Sequence, residues 1–192
     1  MILKFTTISK ITYEEAISGS TDAIGKIYDA FAKKVFNIAW RITGDKQTAE
    51  DITHDVFIKA FTDLKQLKQV EALGPWIRKI AIHMSINYLR KVQKEVFDDV
   101  SVEQVDTDTP ENIAVLAQFE GSMSKSIMQL SANYRTVLWL HEVEGMTHRE
   151  IASLCRCTTG YSKITLSRAI KKLRQLVDEY SKEDIVYAFN QR

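Results

Sequence analysis

The chain has 192 residues, of which 45% are hydrophobic and 27% are charged, as is typical of a globular protein with one ordinary domain or two small ones. Only two prolines and seven glycines are present, which argues against a β-sandwich or barrel, because those folds need turn residues every ~8–12 positions. The formal net charge is +1, but the charges are segregated along the chain, so the total says little about partners.

No apolar run approaches the ~20 residues of a membrane span, so membrane insertion is not expected. The apolar part of Met1–Ile11 is too short for a signal peptide. Cys155 and Cys157 are the only cysteines, and without a secretion signal they do not form a disulfide framework. These features predict a cytoplasmic protein.

The first half of the chain predicts four helices. A capping box of Thr12 and Glu15 begins a short helix, which ends at Gly19. A long amphipathic helix capped by Ser20 then runs to about Thr43. Its apolar residues are spaced by three and four positions, which predicts one buried face.

The third helix follows Gly44 and Asp45 and is acidic on one side. Its predicted inner face carries Ala49, Ile52, Val56, Phe57, Ala60 and Phe61. Its predicted outer face carries Glu50, Asp51, His54 and Asp55. A helix of this kind packs on one side and presents carboxylates on the other.

The fourth helix is basic. After a predicted loop, Asp63–Gly74, the residue Pro75 stands at a suitable first helical position. The predicted core stripe is Ile77, Ile80, Ala81, Met84 and Tyr88. The predicted polar face carries Arg78, Lys79, His83, Arg90 and Lys91. No acid occurs between residues 72 and 94, so this face is uncompensated in charge.

An acidic segment divides the chain. Asp98–Glu111 holds six acids and no base, which is typical of a linker between folded units. We therefore expect an all-α protein with helical domains at residues 12–96 and 112–180 and a linker at residues 97–111.

The second half predicts a helix-turn-helix. A helix over Tyr134–Val143 precedes a capping box of Thr147 and Glu150, which opens a short helix, Thr147–Cys155. A basic helix, Gly160–Arg174, follows after a short turn, and two helices so joined are typical of DNA-binding proteins.

The basic helix divides into two arcs when residues are placed about 100° apart. One arc is largely apolar: Ser162, Leu166, Ala169, Ile170, Leu173 and Val177. The other is largely polar: Lys163, Ile164, Ser167, Arg168, Lys171, Arg174 and Gln175. Residues 156–177 contain six Lys or Arg and no acid, which suits a phosphate-lined groove.

No enzyme or cofactor site emerges from the sequence. Phosphate-binding glycine loops and nucleophile elbows are missing. His141, His148, Cys155 and Cys157 do not have the spacing of a structural zinc site, so no metal is expected. The cysteines fit buried apolar positions, and a regulatory thiol stays open. A metal-dependent nuclease site at Glu50, Asp51 and Asp55 is a minor alternative that magnesium-dependent DNA cleavage would reveal.

Two motif blocks carry a resemblance to a known family. The first is GDKQTAEDITHDVFIKAF, Gly44–Phe61, followed by PWIRKIAIHMSINYLR, Pro75–Arg90. The second is LSANYRTVLWLHEVEGMTHREIASLCRCTTGYSKITLSRAIKKLR, Leu130–Arg174. Over about Tyr13–Tyr180 the chain resembles a bacterial RNA polymerase sigma factor of the extracytoplasmic-function (ECF) group of the sigma-70 family.

The resemblance implies that the first domain binds core RNA polymerase, through the coiled coil of its β′ subunit, and opens the −10 element of promoter DNA. The implied polymerase contacts are Glu50, Asp51, His54, Asp55 and Phe57. The implied −10 contacts are Arg78, Lys79, His83, Asn87, Arg90 and Lys91. The loop Asp63–Gly74 is expected to form part of the pocket for a flipped base, and Trp76 is expected in the core.

The resemblance also implies that the second domain packs on the β flap of the polymerase and reads the −35 element. The implied −35 contacts are Lys163, Ile164, Ser167, Arg168 and Lys171. Ile164 and Thr165 depart from the family pattern, and Ile164 is expected to contact a thymine methyl. Members of this group are commonly held by an anti-sigma factor, which is therefore a candidate partner.

Two alternatives remain at this level. Phe57 could belong to the core, with the neighbouring acids merely solvated. The chain could also be a helix-turn-helix transcription regulator whose N-terminal helices sense a ligand or dimerise. Such a regulator would need another sigma factor for transcription.

Overall fold

The computed structural model of the protein describes residues 8–92 and 126–190, and for residues 178–190 it describes the helix alone. These residues form helices and short connections, with no strand among them, so the predicted all-α class is confirmed. They belong to two compact units, Met1–Lys94 and Glu95–Arg192. The predicted linker at residues 97–111 and the predicted domain start at residue 112 lie outside the described residues.

The described residues of the first unit contain four α-helices. They are α1 (Lys10–Ile17), α2 (Thr21–Thr43), α3 (Lys46–Asp63) and α4 (Leu73–Val92). The helices α2, α3 and α4 pack against one another, and α1 packs on α2. The predicted loop between α3 and α4 contains two turns of 3₁₀ helix, Leu64–Gln66 and Val70–Ala72.

The caps explain where these helices begin. The side chain of Ser20 accepts a hydrogen bond from the Ala23 amide at the start of α2, as predicted, and Gly44 ends α2 with φ of 82°, in the left-handed region that favours glycine. The predicted capping box at Thr12 is wrong. Ser9 caps α1 instead and accepts from the Thr12 amide, so the helix begins before Thr12.

The buried face of α4 differs from the predicted stripe. Ile82, Ile86 and Leu89 are buried, whereas Tyr88 is 37% exposed and Met84 is half-buried. Both α2 and α3 pack against α4, so its buried face is wider than a single stripe. The helix also begins at Leu73 rather than Pro75.

Three helices of the second unit are fully bounded: α5 (Ala132–Glu142), α6 (His148–Cys155) and α7 (Thr159–Asn190). The long helix α7 packs on both α5 and α6 and continues well beyond the predicted end at Arg174. The capping box of Thr147 and Glu150 is confirmed, with both reciprocal hydrogen bonds present. Within residues 8–92 and 126–190, no helix has the length and apolar character needed to cross a membrane.

Candidate polymerase and nucleic-acid interfaces

The outer face of α3 is acidic and open to solvent. Glu50, Asp51, His54 and Asp55 are all exposed. The Asp45 carboxylate caps the helix by accepting from the Thr48 amide at 2.7 Å, and this bond holds the pKa of Asp45 below its usual value. A carboxylate at this end of the helix is also favoured by the helix dipole.

Phe57 does not lie on this face. Its side chain is only 3% exposed, and its ring contacts those of Tyr28 and Phe61 at centroid distances of 4.6 and 5.7 Å. This burial agrees with the inner-face position predicted from the helical period and argues against the direct polymerase contact that the resemblance implied for Phe57. Phe57 is part of the core between α2 and α3, and it supports the acidic face from beneath.

The exposed apolar residue of α3 is Ile58, with 54% of its side chain accessible. On a helix, Ile58 lies one turn after His54 and Asp55 and two turns after Asp51. It therefore occupies the middle of the acidic face. Sequence reasoning missed Ile58, although its angular position on the helix, in the middle of the polar residues, was a readable signal.

The polar face of α4 follows a regular spacing. Lys79, His83 and Asn87 recur every four residues, and all three are exposed. Lys91 extends the row, and Arg90 falls within the same arc. Arg78 lies about 100° away from Lys79 around the helix, so the structure separates it from the other predicted −10 contacts.

Two features of α4 set its chemistry. The Arg90 guanidinium donates to the Asn87 side-chain oxygen at 3.0 Å, which orients both groups. Partial burial and then the Lys79 charge lower the pKa of His83, so its imidazole is neutral at pH 7. His83 therefore offers hydrogen bonds, while Lys79 and Lys91 offer positive charge.

The connection between α3 and α4 is anchored by α1. The Tyr13 hydroxyl donates to the Leu67 carbonyl at 2.6 Å and lies 3.3 Å from that of Leu64. Leu64 and Leu73 are buried at the two ends of the segment. The segment is thus tied to the helical core, and Trp76 beyond it is half-buried, which agrees only partly with the expected core position.

Sequence reasoning also missed an aromatic and cationic group at the end of α2. The rings of Phe36 and Trp40 stack at a centroid distance of 6.4 Å with an interplanar angle of 21°. The Arg41 guanidinium carbon and the Lys46 amine lie 5.3 and 6.0 Å from the Trp40 ring centroid. These distances are within the range of cation–π attraction.

A short turn joins α6 to α7 and gives the helix-turn-helix its geometry. Arg156 ends α6 with φ of 56° and ψ of 41°, a left-handed conformation that is uncommon outside glycine. Cys155 is buried, as expected, and Cys157 is half-buried, where burial raises the pKa of its thiol. Within the part of the chain that the structure describes, no group of three or more His, Cys, Asp or Glu residues could hold a metal ion.

The two arcs predicted for α7 agree with the burial pattern. Every member of the apolar arc is buried: Ser162, Leu166, Ala169, Ile170, Leu173 and Val177. Lys163 and Lys171 are exposed, and Ile164, Ser167 and Arg168 between them are half-buried. Thr165 is only 2% exposed, so its departure from the family pattern is a packing change and not a new base contact.

The same two regions match known protein families. Residues 27–95 match Sigma-70 region 2 and residues 121–173 match Sigma-70, region 4. The chain is a sigma factor of the sigma-70 family. As a sigma factor it directs transcription initiation by RNA polymerase. The region 2 match contains α3 and α4, and the region 4 match contains the helix-turn-helix.

Curated relatives cover most of the chain. It is 25% identical over 168 residues to the ECF RNA polymerase sigma factor SigW of Bacillus subtilis, covering 82% of this chain and 90% of that protein. It is 26% identical over 177 residues to the RNA polymerase sigma-H factor of Pseudomonas aeruginosa, covering 86% of this chain and 90% of that protein.

Solved structures also resemble it. The sigma factor RpoE of Bartonella quintana, in complex with the anti-sigma factor NepR, is 23% identical with a TM-score of 0.49, covering 80% of this chain and 96% of that chain. CnrH in complex with the cytosolic domain of CnrY is 19% identical with a TM-score of 0.47, covering 88% and 96% of the two chains.

Proposed function

We propose that the two units of this sigma factor divide promoter selection between them. The first unit binds core polymerase through α3 and the −10 element through α4. The second unit reads the −35 element through α7. The protein acts in the cytoplasm as a non-enzymatic subunit, and an anti-sigma factor is a further predicted partner.

One observation carries the proposal for DNA. The exposed arc of α7 holds Lys163 and Arg168 on the second helix of a helix-turn-helix, inside the region 4 match. The residues of the opposite arc are buried, so only the cationic arc is free to enter a groove. Lys and Arg on such a helix bind guanine edges or phosphates, and Ile164 offers apolar contact to a thymine methyl.

Polymerase binding is assigned to the outer face of α3. Exposed carboxylates at Glu50, Asp51 and Asp55 complement a basic surface, such as the predicted coiled coil of the β′ subunit. The apolar contact in the middle of this face is Ile58 in place of Phe57, since Ile58 is accessible and Phe57 is not. An apolar side chain surrounded by charge is a common arrangement at the centre of an interface.

The −10 element is assigned to α4 together with the segment between α3 and α4. Lys79, Arg90 and Lys91 suit strand phosphates, while His83 and Asn87 suit base edges. Bases flipped out of a duplex cost a few kcal/mol to unstack, and a cationic face offsets part of that cost. The Tyr13 hydrogen bonds support the position of the adjoining segment.

A crossed experiment tests this division. Holoenzyme carrying Lys163→Ala or His83→Ala is measured on a promoter obtained from a randomised library, and on the same promoter with either element scrambled. If a residue contacts one promoter element, the loss of affinity on substituting the residue and the loss on scrambling that element are not additive. Lys163→Ala should therefore have no further effect once −35 is scrambled, yet keep its effect when −10 is scrambled.

His83→Ala should show the reverse pattern. The assignment of α7 to −35 is wrong if Lys163→Ala weakens binding equally on both scrambled promoters. Equal losses from His83→Ala on both promoters would contradict the assignment of α4 to −10.

A further inference from the structure

A pair of histidines lies where α5, α6 and α7 meet. The rings of His141, in α5, and His148, the first residue of α6, stack at a centroid distance of 4.6 Å with an interplanar angle of 23°. His148 also contacts the first turn of α7, so one imidazole connects both preceding helices to the helix that carries the exposed cationic arc. Neither the family matches nor the sequence pattern assigns a role to this pair.

The contact with α7 is a hydrogen bond between His148 Nδ1 and Ser162 Oγ at 3.0 Å. Ser162 is fully buried, and a buried hydroxyl without a partner costs about 1–3 kcal/mol. His148 therefore satisfies a group that the packing of α7 has removed from water. Lys163 follows directly in the chain, so the direction of its side chain depends on where Ser162 is held.

Two other polar contacts hold the same turn. The Thr158 hydroxyl accepts from the Tyr161 amide at 3.0 Å, and the Asn133 amide donates to the Tyr161 hydroxyl at 3.2 Å. Among the contacts described at this turn, the one made by His148 comes from an imidazole, the side chain whose ordinary pKa lies closest to neutral pH.

Charged groups from all three helices face His148. Burial comes first in lowering the pKa of this imidazole, followed by His141 from α5 and Lys163 from α7, while Glu142 from α5 opposes them. Glu142 is itself paired with His141 at 2.9 Å. On α6 itself, Arg149 is exposed beside His148, and the Glu150 carboxylate is bound in the capping box.

The sign of the pH dependence follows from this environment. The packed arrangement binds a proton less readily than a loosened one in which His148 has its ordinary pKa of about 6.5. Its stability is therefore complete above that value and falls as the pH decreases below it. Acidification should loosen the Ser162 anchor, and not tighten it.

We propose that His148, stacked on His141, positions the first turn of α7 through Ser162, and that acidification reversibly weakens discrimination of the −35 element. This inference rests on the proposed reading of −35 by α7. The device acts on the direction of Lys163 and Ile164, so it changes the preference for the correct sequence more than the general attraction to phosphates.

The test is the ratio of holoenzyme affinities for a selected promoter and for the same promoter with −35 scrambled. The ratio cancels effects of pH on the polymerase, on −10 binding and on general phosphate attraction. Between about pH 7.5 and about pH 5.5 the ratio should fall in the unaltered protein, by no more than about tenfold for each pH unit, because one proton is linked to the change. Returning to the higher pH should restore it.

Substitutions of His148 distinguish a role in positioning α7 from a purely structural role. His148→Asn keeps an amide that can reach Ser162 but cannot titrate, so its ratio should be the same at both pH values. His148→Leu removes the hydrogen bond, so its ratio should be low at both pH values. Ile11→Ala, at an exposed site on α1 of the first unit, is the control, and its ratio should fall on acidification as that of the unaltered protein does.

The inference is overturned if the ratio of the unaltered protein stays constant or rises on acidification, or if His148→Asn falls as the unaltered protein does. If His148→Leu fails to fold, the comparison of His148→Asn with the unaltered protein still tests the proposed role of His148. A ratio near one at the higher pH is a different result. It would mean that α7 does not read −35, and the proposed function would fail with it.

Discussion

Truncation of Ile58 to alanine gives a quantitative test of the polymerase-binding face. The Ile58 side chain is 54% exposed, and burying a whole isoleucine side chain contributes about 1.5–3 kcal/mol. Covering the exposed half against the polymerase should therefore contribute about 0.8–1.6 kcal/mol. Alanine loses most of this, so association with core polymerase should weaken about three- to tenfold.

The assay titrates core polymerase against a fluorescently labelled protein at fixed salt. Ile11→Ala is the matched control, because Ile11 is 69% exposed and lies on α1, outside the proposed interface. Both substitutions are at exposed sites, so thermal unfolding should change little in either variant. If Ile58→Ala binds as tightly as Ile11→Ala, Ile58 is not at the interface and the corrected docking surface is wrong.

The contrast with Phe57 sharpens this test. Phe57→Ala empties a site that is 3% exposed beside Tyr28 and should reduce the free energy of unfolding by about 3–5 kcal/mol. Its effect on polymerase binding should then follow the loss of folded protein. A stable Phe57→Ala protein that binds polymerase poorly would favour the direct role that the resemblance implied for Phe57.

The remaining predictions concern charge, base contact and the anchored segment. Lys163→Ala or Arg168→Ala should weaken −35 recognition by about 1–3 kcal/mol per lost base contact, measured as promoter affinity with intact and altered −35; equal losses on both probes would contradict base reading. Asp51→Asn should weaken polymerase association at low salt, and the difference should shrink as salt screens the charge; a loss that is independent of salt would contradict an electrostatic role. Tyr13→Phe removes the hydrogen bond to the Leu67 carbonyl and should cost about 1 kcal/mol of stability, with weaker capture of −10 but unchanged −35 discrimination. If Tyr13→Phe binds a −10 probe as tightly as the unaltered protein does, the segment between α3 and α4 does not take part in promoter opening.

The helices and their order could be predicted because they depend on local chemistry. Ser20, Gly44 and the capping box of Thr147 and Glu150 act within one turn of their own helices, so their effects are visible in the sequence. The two arcs of α7 could be predicted for a similar reason. One side of that helix packs against α5 and α6, and apolar residues recur with the helical period on that side.

The errors concern contacts that join distant parts of the chain. The local period of α3 placed Phe57 on the inner face, but it could not identify Tyr28 of α2 as the ring that packs against it. Tyr13 reaches Leu67 across 54 positions of sequence, which periodicity cannot indicate. Thr165 sits at a buried position of α7, although its polar type and its departure from the family pattern both favoured an exposed one.

The direct test of the central claim is transcription in vitro with purified core RNA polymerase. The template is a promoter selected from a randomised library with the reconstituted holoenzyme. We predict that this protein alone is sufficient to direct transcripts from that promoter, and that scrambling either −10 or −35 reduces them. If the protein binds duplex DNA tightly but yields transcripts only when another sigma factor is added, it is a helix-turn-helix regulator and the account is contradicted.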